Sequence, residues 1–415
     1  MSITDNKKVN RFKQSYRELF PGLVPLFILA HFMHHIPGFI IQSLQPSIRD
    51  EFSLDYLKIG TLNGAYNASY GASNLVAGWL SGDRISIRFL IALGVAGVAV
   101  FGLFVGLSIN YSMMLVALIV MGILGGGYHP SASPLLADTV ALEKRGQVLG
   151  MHQVGGTLAN VLTPLLTAGI VTLLGMFMPS NFTWRGAFII LTIPSIAFGI
   201  YLYYILKRRQ LGGMETKAEV ETFSIRINPR GYIRRMVAFI TIGTAVQVFV
   251  FSSISVIPLL VVDQYGASEQ AGAAFLSLAH FSGLFAGPFG GYLSDRYGNV
   301  PLMLAVSLAA GPIIVLLSLG THWWLLPIVL LAMGTCMYVA MPLSEVYVIN
   351  NAKNSNRSTI LGIYYFASRG GPGILMPVIG KLIDQYSFAT TFAWVGAALF
   401  LIVLVCSLLL WGTRD

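Results

Sequence analysis

Charge is scarce in this chain. Of its 415 residues only 10% are Asp, Glu, Lys or Arg, against roughly 25% in a soluble domain. With 55% hydrophobic residues and a mean hydropathy of +0.72, that shortage excludes an ordinary soluble enzyme and points to lipid as the solvent. Cysteine is nearly absent: Cys336 and Cys406 both lie in apolar runs, too few and too buried for a disulfide framework. No G-x-x-x-x-G-K-[ST] phosphate loop occurs, so ATP is not expected to drive the protein directly. The polar, basic stretch Met1–Phe20 lacks the short apolar region of a cleavable signal peptide. No clustered catalytic groups stand out near an interface, so an enzyme is not expected. No cofactor and no metal site are expected either.

Long apolar runs are present instead. A helix needs about 20 apolar residues to cross a bilayer. Reading runs between polar breaks gives twelve candidates, at about 22–46, 56–80, 88–108, 112–136, 147–175, 183–206, 233–262, 268–293, 300–320, 323–349, 359–383 and 388–411. With the N-terminus placed in the cytoplasm, 21 of the 26 Lys and Arg fall in inner segments. The outer segments hold Arg49, Lys58, Arg185 and Lys381, and Arg369 is left within a span. This is the positive-inside asymmetry, and a miscounted helix would destroy it. It also accounts for the net charge of +9 without nucleic acid. The expected fold is an all-α membrane protein of twelve transmembrane helices in two six-helix bundles. Residues 1–206 form the first bundle, 207–232 a cytoplasmic linker and 233–415 the second.

The two halves repeat. Gly78-Trp-Leu-Ser-Gly-Asp83-Arg84 follows span two, and Gly291-Tyr-Leu-Ser-Asp295-Arg296-Tyr-Gly298 follows span eight. Arg145, Leu149 and Gly150 open span five with the spacing of Arg357, Leu361 and Gly362 at span eleven. Parallel six-helix repeats are the arrangement of major facilitator transporters, and over nearly its whole length the chain resembles that superfamily. Within it, the chain is most similar to the fosmidomycin-resistance-like drug exporters. The residues that carry this are His31-Phe32 through Pro46, Glu51–Gly60, Ala65-Tyr66-Asn67, Tyr128-His129-Pro130 and Gln153-Val-Gly-Gly156. Ala159 and Thr163 stand where such exporters have further glycines. The resemblance implies a cytoplasmic latch, with Asp83 directed toward span eleven and Asp295 toward span five. It also implies that span one lines a central cavity. Gly78 and Gly291 are expected to let helices approach closely.

Six of the seven histidines fall inside predicted spans: His31, His34, His35, His129, His152 and His280. Ionisable groups in hydrocarbon are costly and mark solute or proton paths. His31 shares a face of span one with His34 and His35. No cysteine or carboxylate close to span one suggests a metal. Asn63, Tyr66, Asn67, Tyr70 and Asn74 form one polar stripe on span two, either a solute-facing surface or helix-packing glue. Arg369 lies at mid-depth in span eleven, where it pairs with Glu345 or binds an anionic group of the solute. The candidate pathway residues are His31, His34, His35, Tyr66, Asn67, Tyr70, His129, Gln247, His280, Glu345 and Arg369. The gating candidates are Gly78, Asp83, Arg84, Gly291, Asp295, Arg296 and Gly298.

The expected function is proton-coupled secondary transport by alternating access. Export of a drug-like or amphipathic small molecule, as an antiporter in the inner membrane, comes first. Uptake of a small organic anion, or a non-transporting sensor on the same fold, are the alternatives. The expected partners are the substrate, protons and the lipid bilayer, with the chain a monomer and both termini cytoplasmic.

Overall fold

The computed structural model describes residues 22–81, 84–141, 144–214, 232–319, 323–351 and 354–410. Within them the one extended pairing is an isolated bridge between Ser81 and Ile85. The helices group into twelve segments, consistent with the twelve expected spans. Span one is Val24–Ser43, followed by a short helix, Gln45–Phe52. Span two is Tyr56–Leu80, three Ile87–Gly106, four Tyr111–Asp138, five Arg145–Gly175 and six Ser180–Arg208. Span seven is Tyr232–Ser255 with Ile257–Asp263, and eight is Glu269–Phe281 with Gly283–Tyr297. Span nine is Asn299–Leu319, ten Leu325–Asn351, eleven Asn354–Gly370 with Pro372–Gln385, and twelve Phe388–Leu410.

Nine of these are long and apolar enough to cross a bilayer unaided, and the bent span eight makes a tenth. Spans two and eleven fall short, and these two pack on each other along their length. Their low apolarity follows from this position, because a helix shielded by other helices can carry polar groups that lipid would not tolerate. Glycine lets their backbones meet. A Cβ on Gly60 would stand 2.4 Å from the Met376 carbonyl oxygen, and one on Gly71 would stand 2.5 Å from the Gly370 Cα. On the facing helix, a Gly380 Cβ would lie 2.2 Å from the Tyr56 oxygen. This is small-residue packing, and it joins the two bundles. Spans five and eight form the second junction.

The ends of the molecule differ. At the end carrying the turn between spans one and two, the chain stops one helix with Ser53 in the left-handed region (φ 49°) and starts the next with Asp55. The Asp55 side chain accepts from the Lys58 amide at 2.7 Å, a standard N-cap bond. Here the bundles are tied together. Arg49 pairs with Asp263, whose carboxylate also accepts from the Tyr56 hydroxyl at 2.7 Å. Ser47 bonds Glu269. Asp384 accepts from the amides of Tyr56 and Leu57 at 2.9 and 2.8 Å, capping span two from span eleven. Burial by itself lowers the Arg49 pKa. The hydrogen bonds and charges of Asp263 and Asp50 outweigh that and hold it above its usual value.

At the linker end spans five and eight stand apart. Among the described residues, a Cβ on Gly146, Gly150 or Gly291 would meet nothing within 4 Å. The close helix approach expected at Gly291 is therefore not made in this conformation, because spans five and eight diverge there. Asp295 is exposed, and Arg145 pairs instead with Asp138 at 3.1 Å. Gly298 has φ +89° between the helices of spans eight and nine, a backbone conformation that favours glycine. Asp83 lies outside the described residues, as do the surroundings of Gly78 and the side chain of Arg357.

Candidate functional site

Span one delivers three imidazoles to one depth, and spans four and five add two more. His31 Nδ1 lies 2.8 Å from the His152 carbonyl oxygen and its ring stacks on that of His152 with centroids 4.3 Å apart. His35 Nε2 is 3.1 Å from His31 Nε2. The His129 ring meets His31 edge-on at 4.9 Å. Glycine makes the room: a Cβ on Gly156 would stand 2.6 Å from His31 Nε2, and one on Gly94 would stand 2.7 Å from the Tyr128 Cβ.

His34 is fully buried, and both its nitrogens are used. Nδ1 faces the Gly94 carbonyl at 2.7 Å and Nε2 the Tyr70 hydroxyl at 3.1 Å. That carbonyl sits in a π-helical turn, Leu93–Gly97. Such wide turns recur at functional sites. Span four breaks at Gly126–Gly127, just before His129, between its two helices. There a Gly126 Cβ would clash with the Asn74 amide nitrogen at 2.6 Å, so contact with span two sets the break.

The polar stripe of span two divides into two uses. The Asn63, Asn67 and Asn74 amides turn back to carbonyls on their own helix at 3.1, 2.8 and 3.1 Å. This satisfies them cheaply inside the bundle. Tyr70 joins the histidine layer, while Tyr66 packs over Gly38.

A second layer crosses between the bundles. Asn160 of span five donates to the Tyr338 hydroxyl of span ten at 3.0 Å, and His280 Nδ1 faces the same hydroxyl at 3.0 Å. Phe39 of span one packs edge-on against His280 with centroids 5.1 Å apart, and His35 packs on Phe39 at 6.3 Å. A chain of rings thus runs from the histidine layer to span ten. Gln247 donates to the Met337 carbonyl at 2.6 Å, which assigns it to packing of spans seven and ten. Among the described residues, His280 Nε2, His129 Nε2, Asn160 Oδ1 and the Tyr364 hydroxyl are buried without a partner. Buried polar atoms are rarely left unpaired, and these four sit on spans from both bundles.

Arg369 makes no ion pair within 4 Å among the described residues. Its Nη2 instead contacts the Met341 sulfur at 3.7 Å. Glu345 lies one helical turn beyond Met341, with Arg369 and Tyr365 in its surroundings. The direct Glu345–Arg369 pair is therefore not formed. Arg369 also acts electrostatically on His34, His35 and His129 across the bundle junction. Reading the sequence did not single out Tyr128 or Asn160 as site residues, and offered Tyr338 only as one of several aromatics that could line a solute pocket. Only the position of Tyr128 next to His129 hinted at one of them.

Two helical bundles joined along paired spans, sealed at one end and parted at the other around a buried polar layer, define a membrane transport protein. The Major Facilitator Superfamily profile matches residues 27–310 and 240–415, and the chain belongs to that superfamily. It is thus a multi-pass membrane transporter for small molecules and not an enzyme. It is 22% identical to the fosmidomycin resistance protein of Escherichia coli, over 88% of this chain and 87% of that one. It is 23% identical to a probable sulfoacetate transporter of Cupriavidus necator, with the same two shares covered. It is 26% identical to a probable L-galactonate transporter of Escherichia coli, but over 40% of this chain and only 34% of that relative's length. A solved POT family transporter in complex with 5-aminolevulinic acid superposes with a TM-score of 0.79 over 93% of this chain and 95% of that one, at 12% identity. That likeness concerns the fold alone.

Proposed function

We propose that this protein is a proton-coupled secondary transporter that exports an amphipathic, drug-like small molecule by alternating access. The observation that carries the reading is Arg369, a mid-depth cation without a carboxylate at ion-pair distance, set beside a carboxyl at Glu345. A charge at this depth is retained where a solute or water compensates it. The Tyr338 and Tyr364 rings near Arg369 offer apolar surface to the rest of the molecule, and Phe39 extends it through its contact with His280. Glu345 is the proton carrier: protonated, it leaves Arg369 free for the solute, and ionised, it competes for it. His280, unpartnered at Nε2, lies on the same path. The sealed end faces the outside, as the basic linker end implies. The gating motif closes the linker end in the opposite conformation, with Asp83 and Asp295 on the starts of spans eleven and five. The chain acts as a monomer in the inner membrane with both termini cytoplasmic.

The second reading is uptake of a small organic anion. Arg369 favours it equally, and the sulfoacetate and L-galactonate relatives bear names of that class. Proteoliposomes separate the two. Ligands found by thermal shift are tested for counterflow, then for accumulation under an imposed pH gradient of each sign. Accumulation driven by counter-flow of protons supports export. Co-movement of solute and protons replaces it with uptake, and ligand binding without counterflow makes the protein a sensor.

A further inference from the structure

We propose that His31, His35 and His129 form a binding site for one borderline transition-metal ion of the zinc class. One ring nitrogen of each lies within 4.8 Å of the other two. His31 and His35 Nε2 stand 3.1 Å apart. Metal–imidazole bonds of about 2.0–2.1 Å in a tetrahedral set place two ligand nitrogens about 3.3 Å apart. That pair is thus already spaced for a shared ion, and His129 needs to close by up to about 1.5 Å.

The surroundings match a metal site rather than a packing cluster. His31 Nδ1 faces a backbone carbonyl at 2.8 Å. This fixes the tautomer that leaves Nε2 as a lone pair, the usual outer-shell bond of a metal-bound histidine. His129 Nε2 is buried and has no partner. The glycine at position 156 keeps the His31 ring unobstructed at Nε2. Three neutral imidazoles without a carboxylate in the set suit Zn²⁺, Co²⁺ or copper, and not Ca²⁺ or Mg²⁺. Three protein ligands leave a fourth position for water or an exchangeable donor.

The test uses the full-length protein purified without a polyhistidine tag and stripped with chelator. Calorimetric titration with Zn²⁺ is expected to show one equivalent bound, with Ca²⁺ and Mg²⁺ unable to compete. His35→Gln and His129→Gln should each weaken binding at least about tenfold, in the range typical of a damaged metal site. Cys406→Ser, on span twelve and outside the cluster, should leave it unchanged. X-ray absorption of the wild-type Co²⁺ or Zn²⁺ form should show imidazole scattering, a readout that does not depend on any variant folding. Failure of the folded wild type to bind one equivalent overturns the proposal. So do equal affinities in the wild type, His35→Gln and His129→Gln, or a coordination shell of oxygen alone. None of these outcomes bears on Glu345 or Arg369, so the transport reading stands or falls separately.

Discussion

The two bundles bury their polar groups by opposite rules. In spans one to six the deep polar residues are imidazoles, hydroxyls and amides, and most are bound to a backbone carbonyl or to one another. His34 has both nitrogens engaged, and the asparagines of span two close on their own helix. In spans seven to twelve two formal charges, Glu345 and Arg369, are kept near each other without a direct ion pair. The first arrangement stabilises a fixed packing, because each removed partner strands the other. The second leaves a charge available, because Arg369 loses little when a ligand takes it. The molecule contrasts lengthwise as well. One end is held by ion pairs across the bundles, and at the other the glycines of the facing spans meet nothing.

The contrast is broken most directly at Arg369. Arg369→Gln should lower kcat/KM for transport by about a hundredfold, or about 2.7 kcal/mol. The melting temperature should hold within a few degrees. A stability loss with unaltered solute affinity would make the arginine structural. Glu345→Gln should keep counterflow but abolish accumulation driven by a pH gradient. If accumulation survives, the proton moves elsewhere, with His280 tested next.

His34→Phe probes the other rule. It strands the Gly94 carbonyl and the Tyr70 hydroxyl, so it should cost about 2–6 kcal/mol, at about 1–3 per unsatisfied group. Thermal unfolding in detergent reads this. Loss of transport in a fully stable protein would show that the histidine acts on the solute instead. At the sealed end, Asp263→Asn removes one half-buried pair, a change of about 1 kcal/mol. Labelling of a cysteine placed at Ser47 should rise severalfold from that side, and no rise would mean that the remaining ties suffice. Smallest is Gly291→Ala, expected within about 0.5 kcal/mol of wild type in stability because its Cβ enters open space. Its slower return from the opposite conformation, read by single-turnover transport, would show that the close approach is made only there.

Much of this was legible in the chain itself. Apolar runs and the placement of Lys and Arg define the spans, because lipid admits few alternatives to a continuous helix. The Gly-x-Leu-x-Asp-Arg pattern at Gly291, echoed at Gly78 with one extra residue before Asp83, marks the superfamily, and the cost of charge in hydrocarbon singles out Arg369, Glu345 and the histidines. Sequence spacing orders residues only along one helix, however. It relates His31 to His35 but not to His129, which the fold brings over from span four. It shows Tyr338 as one aromatic among many, until Asn160 and His280 converge on its hydroxyl from two other spans. It proposes Glu345 and Arg369 as a pair without fixing their depths, and the packing of spans ten and eleven sets Met341 against the guanidinium instead. The Gly60, Gly71 and Gly380 spacings acquire meaning only when spans two and eleven touch. Local pattern decides what a segment of chain can be in a bilayer. Which segments meet, and which polar atoms are left without partners, is decided by the packing of distant helices.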